Sequence, residues 1–440
     1  MTKVFYRDVK SLYPKAVSAH GMYLTDSQGK QYLDMSGGAA SASMGHGHPQ
    51  VIEAMHRQID QVAYAHSGFF TTDPQEQLAE LITQQFQEAN SYVYFSSGGS
   101  EANETALKMA WQYWRQKGQP KKVKIISREH SYHGNTLGAL SVSGNLPRRR
   151  SMDNILLDWP RTKACYRFRL GAEHASEEAY CSYLIDELET LINKEGAETI
   201  AAFIAEPIVG ASLGVVPAVE GYFSRVRDLC NAHSILLISD EVMCGIGRTG
   251  SYFAHQQEGV IPDMVTLGKG IASGYQPLAA TLVREEIHQH FVQTEGFKHG
   301  HTYVGHATAC AAGLAVHTLL LNEGVLENVS PRGEYFRKAL KHQFSAHPHV
   351  GDIRGRGLMI GIEFVKDKDT FAPIEDAVAL PSQIKKAAMN HGLICYPGGG
   401  SSQDGLSKHI LLAPPYILED RHSDEAILKI DRLLKDIKYV

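Results

Sequence analysis

Short apolar runs alternate with longer stretches whose apolar residues recur every three or four positions, from about residue 65 to 325. Tyr92-Val93-Tyr94-Phe95, Val123-Lys124-Ile125-Ile126, Ala201-Ala202-Phe203-Ile204-Ala205, residues 234–239 and Met264-Val265-Thr266-Leu267 read as short buried strands. Residues 101–117, with Ala106, Leu107, Ala110 and Trp114 on one face, and residues 307–321 carry helical periodicity. Strands alternating with helices predict a mostly parallel, doubly wound α/β sheet. Upstream, residues 21–25 and 31–34 flank Asp26-Ser27-Gln28-Gly29-Lys30 as a hairpin, with Gly29 where positive φ is needed, and residues 51–62 read as an amphipathic helix. Beyond about Gly324 the pattern changes to an α+β order. It consists of a helix near 335–344, a strand at 358–364, a helix near 382–390 stopped by Gly392, and a strand at 409–412. A last helix, capped by Ser423, carries Ile427, Ile430, Leu434 and Ile437 as its stripe. The expected organisation is an N-terminal segment (1–64) joining the small domain, a large domain (65–325) and a C-terminal small domain (326–440). Residues 146–178 are irregular and are expected to form a long loop near the site. Gly355-Arg356-Gly357 leads into a strand, which excludes a dinucleotide-binding loop.

Composition sets limits. The 440 residues are 43% hydrophobic and 21% charged, enough apolar material for two or more cores. A net charge of −5 supplies no general attraction for nucleic acid or an anionic membrane, and neither partner is expected. The first residues, Met1-Thr2-Lys3-Val4-Phe5-Tyr6-Arg7-Asp8, hold no apolar signal core, and no run approaches the roughly 18 apolar residues of a membrane span. Six cysteines (Cys165, Cys181, Cys230, Cys244, Cys310, Cys395) without CxxC spacing point to reduced thiols in a cytoplasmic protein, and not to disulfides or a zinc site.

Candidate chemistry gathers where apolar runs end. Met264, Val265 and Leu267 deliver Lys269 between Gly268 and Gly270, which leave a bulky group room to approach the amine. The run 234–239 leads to Asp240, and ligands of parallel α/β sheets bind at the C-terminal ends of strands. A lysine and an aspartate so placed suit pyridoxal phosphate: the amine forms a Schiff base with the aldehyde, and the carboxylate keeps the pyridine nitrogen protonated. A surface lysine and a helix-capping aspartate would leave the same trace. Ser96-Ser97-Gly98-Gly99-Ser100 joins a strand to a helix start, where unpaired N–H groups, hydroxyls and the dipole suit an anion. A plain N-cap by Ser100, with Glu104 at capping-box-like distance, fits as well. Tyr132 and His133, before Gly134, suit a ring-stacking platform, and Glu206 ends its strand in another carboxylate. The small residues from Ser36 to Gly47 suit a pocket lining. His46 and His48 lack an acidic or cysteine partner in the sequence and read as a loop, so no metal is expected. Arg148-Arg149-Arg150, beside Pro147, reads as a solvated loop.

In this order and spacing, Ser97-Gly98-Gly99-Ser100-Glu101-Ala102-Asn103-Glu104, Tyr132-His133-Gly134, Glu206-Pro207, Asp240-Glu241-Val242, Gly247-Arg248-Thr249-Gly250, Gly268-Lys269-Gly270, Thr302-Tyr303 and Ala413-Pro414-Pro415 form one set. Together they resemble the class III pyridoxal-phosphate-dependent aminotransferases of fold type I, over nearly the whole chain. The resemblance implies a large domain with a mostly parallel, seven-stranded-type sheet and a smaller α+β domain. It implies that Lys269 carries the cofactor and later moves the proton, and that Asp240 pairs with the pyridine nitrogen. Gly99 and Ser100 would bind the phosphate, Tyr132 would stack on the ring with Val242 on its other face, and His133 and Glu206 would lie near it. Thr302 would reach the phosphate of a neighbouring subunit's cofactor, which implies a homodimer with shared sites and leaves a tetramer open. The implied reaction moves an amino group from an ω-amino acid or amine to a 2-oxo acid. The alternative is a lyase on the same scaffold, eliminating ammonia or phosphate from a phosphorylated or phosphonate amine. The sequence departs from many relatives in having no arginine in Leu406-Ser407-Lys408-His409-Ile410-Leu411-Leu412-Ala413, before the Pro-Pro, and no bulky aromatic in 37–42. Arg167 or Arg169 is then the expected partner for a substrate anion.

Overall fold

A computed structural model describes residues 2–88, 90–375, 378–400 and 407–439. Its largest sheet has seven strands in the spatial order Tyr92–Ser96, Ala279–Val283, Met264–Leu267, Leu236–Asp240, Ile200–Ala205, Lys124–Arg128 and Arg161–Thr162. Only Ala279–Val283 runs against its neighbours, pairing antiparallel on both sides. Ile238 lies opposite Ile204 on one side and Met264 on the other. Successive residues of a strand point to opposite faces, and both faces here are covered. Ile125, Ala202, Ile204 and Ile238 share a core with Ala106, Leu107 and Ala110 of the helix Gly99–Gln116. Ile126, Phe203, Ala205 and Leu237 meet Tyr180 and Leu184 of the helix Glu177–Glu195 and Tyr222 and Val226 of Tyr222–Ala232. Every residue of Ile200–Ala205 and Leu236–Asp240 is buried, and each large apolar side chain so placed contributes roughly 1.5–3 kcal/mol.

Two four-stranded sheets and a two-stranded one accompany it. Val350–Arg356, Met359–Phe364, His409–Leu412 and Tyr396–Gly398 form an antiparallel sheet in that order. The hairpin of Tyr23–Asp26 and Gln31–Asp34 turns through Gly29, whose φ of 78° is left-handed. Its second strand pairs in parallel with Leu393–Ile394, Leu33 opposite Leu393. No single helix among the described residues is long and apolar enough to cross a membrane.

Several boundaries differ from expectation. The last helix spans Asp420–Asp436 with Glu419 as its N-cap, and Ser423 is a buried residue inside it. The Glu419 and His422 side chains close a reciprocal capping pair that outcompetes the serine. The helix expected near 335–344 begins ten residues earlier, as Val325–Phe344, with Pro331 inside it. Residues 146–178 are not structureless. They hold the helical turns Leu146–Arg149 and Arg167–Leu170, the edge strand Arg161–Thr162 and the start of Glu177–Glu195.

Candidate active site

Five strands of the large sheet end at one place. Just beyond the C-terminal end of Tyr92–Ser96 come Gly99 and Ser100, and beyond Lys124–Arg128 come Tyr132 and His133. Glu206 follows Ile200–Ala205, Asp240 closes Leu236–Asp240, and Lys269 follows Met264–Leu267. All of these, with Val242, line one cavity of about 680 Å3. Side-by-side strands pointing the same way bring together residues far apart in sequence.

Asp240 is buried and closely held. Its Oδ2 accepts from Nδ2 of Asn103 at 2.9 Å and lies 2.7 Å from Nδ1 of His133, while its Oδ1 accepts from the Val242 N–H at 3.0 Å. Asn103 in turn donates to the His133 carbonyl at 2.5 Å and accepts from the Thr266 hydroxyl at 2.8 Å. Burial alone would push the His133 imidazole down, but Glu206 and Asp240 hold it above the usual histidine range. Glu206 accepts from the Tyr132 N–H at 2.9 Å and faces the buried Arg128 guanidinium at 3.5 Å. The carboxylates are thus fixed in direction before any ligand arrives.

Lys269 has no such partner. Among the described residues its amine makes no hydrogen bond and no ion pair, and its backbone is held at φ 43°, in the left-handed region. Such a conformation costs on the order of 1–3 kcal/mol, which the surrounding packing sustains. Burial lowers the amine below the ordinary lysine range, with Asp240, Cys244 and Glu206 pulling the other way. A neutral amine attacks a carbonyl, whereas an ammonium does not.

The helix Gly99–Gln116 starts at Gly98 with no side-chain cap, so Ser100 is not the N-cap. Ser100 instead accepts from the Asn135 N–H at 3.0 Å, and Glu104 accepts from the Ala139 N–H at 3.0 Å. The first-turn N–H groups therefore stay available to an anion. A Cβ on Gly99 would come within 2.5 Å of Val242, and one on Gly134 within 2.6 Å of the Ser100 hydroxyl. Only glycine lets the chain pass so close to this wall.

Other expected residues lie elsewhere. Thr302 is exposed and away from the cavity of its own chain, and its carbonyl accepts from the Tyr64 hydroxyl at 2.9 Å. Arg167 and Arg169 do not reach the cavity, which corrects their expected role. Arg167 donates to the carbonyls of Gly171 and His174. Arg169 meets the buried Glu363 at 2.6 Å, and Glu363 also receives Arg354 at 2.6 Å and the Tyr166 hydroxyl. Burial would raise the Glu363 carboxyl, but the two guanidiniums hold it below the usual range. Stripping one partner from such a buried pair costs about 3–5 kcal/mol, so Arg169 is structural. His46 is likewise paired, 3.0 Å from Asp34. Of the stretch before Pro414, Leu406 lies outside the described residues, and Lys408 is buried with its amine on the Ile374 carbonyl at 2.6 Å.

The Arg148–Arg150 run is not a solvated loop. Arg149 is buried and donates to the carbonyls of Leu140 and Ser141 at 2.9 and 2.8 Å, while Arg148 lies over the Tyr132 ring, 4.7 Å from its centroid, and lines the cavity. Asn103 was also missed. Its signal was available, because it is a polar residue on the face that carries Ala106, Leu107 and Ala110, and such a residue needs partners.

This donor set fits pyridoxal phosphate. It offers a glycine cradle at a helix start for a phosphate, an oriented buried carboxylate for a pyridinium, and, for an aldehyde, an amine with no partner among the described residues. Comparison with known proteins agrees. The family described as aminotransferase class-III matches residues 5–434. An uncharacterised aminotransferase of Schizosaccharomyces pombe is 39% identical, covering 98% of this chain and 94% of that protein. Among solved structures, a thermostable (S)-enantioselective ω-transaminase from Thermomicrobium roseum superposes with a TM-score of 0.91 at 37% identity, over 96% of this chain and 93% of its own. The ω-transaminase of Pseudomonas jessenii, solved in complex with PMP, gives 0.90 at 33% identity, over 96% and 92%. These neighbours carry the fold type I architecture that the seven-stranded sheet reproduces. The chain belongs to the class III aminotransferases and is a pyridoxal-phosphate-dependent enzyme of amino-group transfer.

Proposed function

We propose that the enzyme takes the amino group of an ω-amino acid or amine and passes it to a 2-oxo acid, with Lys269 as the reacting amine. The observation that carries this reading is the amine of Lys269, without a partner among the described residues, in one cavity with a carboxylate whose direction is already fixed. Pyridoxal phosphate, when bound, supplies an aldehyde that bonds amines and a ring that accepts electrons from the adjacent carbon. Gly99 and Ser100 would bind its phosphate, Tyr132 and Val242 would pack against its ring, and Asp240 would keep the ring nitrogen protonated. His133 supports Asp240, and Glu206 fixes the Tyr132 turn. Lys269 moves a proton at the carbon that bears the amino group. The holoenzyme should convert one equivalent of amine per site in the absence of a 2-oxo acid and then stop, and pyruvate or 2-oxoglutarate should restart it. Ammonia released over many turnovers without any 2-oxo acid would replace transfer with elimination.

We further infer a homodimer in which Thr302 serves the partner's cofactor phosphate, with assembly into a tetramer left open. Support comes from large side chains left exposed: Tyr64, whose hydroxyl donates to the Thr302 carbonyl, Tyr303 beside Thr302 in the chain, and Phe69 and Phe70 a few residues after Tyr64. Mixing Thr302→Ala with Lys269→Ala subunits should then produce hybrids with one doubly damaged and one intact site, so mixing should recover activity. An active monomer at low concentration would refute this. The large domain is read as 65–325, with 1–64 and 326–440 forming the smaller unit. Six free cysteines, five of them buried, accord with a reducing cytoplasm.

A further inference from the structure

The acidic groups of the cavity, Glu206 and Asp240, are already paired, whereas the Arg148 guanidinium has no acidic partner among the described residues. Arg148 sits on the short helix Leu146–Arg149, whose N-cap Asn145 accepts from the Arg148 N–H at 3.2 Å. That helix is pinned from below. Arg149 donates to the carbonyls of Leu140, Ser141 and Ser143, and Arg161 donates to those of Ser141 and Ser143. On this anchored turn the Arg148 guanidinium lies 4.7 Å from the Tyr132 ring centroid. Among the described residues it makes no hydrogen bond and no ion pair. Arg7 lines the same cavity from an exposed segment and lacks this support.

We propose that Arg148, on the turn anchored by Arg149 and placed over the Tyr132 ring, binds the carboxylate of the substrate, so that the enzyme prefers amines and oxo compounds that carry an acid group. A guanidinium placed over an aromatic ring, with no hydrogen bond of its own among the described residues, keeps its N–H fork free for a bidentate carboxylate, and a lysine cannot reproduce that fork. The segment before Pro414 offers no arginine, and Arg167 and Arg169 are committed to Gly171, His174 and Glu363. The carboxylate handle therefore comes from the turn after the Tyr132 strand exit. Specificity would follow as a difference in affinity between molecules that share an amine and differ at the far end.

This inference rests on Lys269 as the reacting amine, and the test separates the two. Loss of the holoenzyme's yellow colour is followed in single turnovers with 4-aminobutyrate and with n-butylamine, which has a methyl where the former has a carboxylate. Arg148→Gln should raise the apparent dissociation constant for 4-aminobutyrate by about ten- to a hundredfold, change its limiting rate less than about threefold, and leave n-butylamine alone. Arg148→Lys should recover only part of that affinity. Glutarate, which has no amine and cannot react, should bind the wild-type holoenzyme and perturb its absorption, and should bind Arg148→Gln at least about tenfold more weakly. Equal losses for both amines, or unchanged glutarate binding, would overturn the assignment. A wild-type holoenzyme that neither amine decolourises would overturn the role of Lys269, and the glutarate comparison would still decide the role of Arg148.

Discussion

Replacing Lys269 with alanine should leave a protein that binds pyridoxal phosphate and turns over no amine. It is the only lysine lining the cavity among the described residues, and its amine is kept below the usual range by burial. Gly99 and Ser100, proposed to hold the phosphate, and the carboxylate of Asp240 survive the substitution, so affinity for the cofactor should largely persist. The chemical step should fall by at least about a thousandfold, the scale of losing a nucleophile that acts directly. Borohydride reduction of the wild-type holoenzyme, digestion and peptide mapping should put the pyridoxyl group on the Gly268-Lys269-Gly270 peptide. A label on another lysine would move the site elsewhere.

Asp240→Asn carries the second-largest expected effect. The carboxylate is matched to its surroundings because Oδ2 faces two donors, Asn103 and His133, and Oδ1 faces the Val242 N–H. An amide keeps the shape, but it removes the negative charge and sets an NH2 group against donors. It stabilises a protonated ring nitrogen far less well, since hydrogen bonds between charged partners are roughly twice as strong as neutral ones. We expect cofactor to be retained in part and kcat to fall by about a hundredfold or more. A variant within about threefold of wild type, with its cofactor content measured, would contradict the role given to Asp240.

Lys269 and Asp240 were legible because each interrupts or ends an apolar run, and a strand end in a parallel sheet is where polar groups collect. Asn103 was legible in principle, as a polar residue on an apolar helical face. Arg148 and Arg149 were not, since nothing in three consecutive arginines tells which is buried, which stacks and which is solvated. Arg169 misled for a related reason. It lies in the expected stretch, but its partner Glu363 is nearly two hundred positions away, and no local pattern announces that pair. The antiparallel direction of Ala279–Val283 was not legible because periodicity reports which face is buried and carries nothing about direction. Residues 146–178 looked structureless because their elements are one turn or two residues long, and what stabilises them is contact with the sheet and not their own propensity.

The parallel pairing of Leu33 with Leu393 has a consequence for how the chain is made. On the ribosome, the hairpin Tyr23–Asp26/Gln31–Asp34 emerges early and must wait with an unpaired edge until nearly all the rest has been synthesised. The seven strands of the large sheet lie between those two partners and have no such wait. They are free to assemble first, and the sheet that ties the beginning of the chain to its end closes only after them. Loop closure across so long a span is slow, and a waiting edge invites pairing with other chains. The hairpin is therefore where misassembly during synthesis should concentrate.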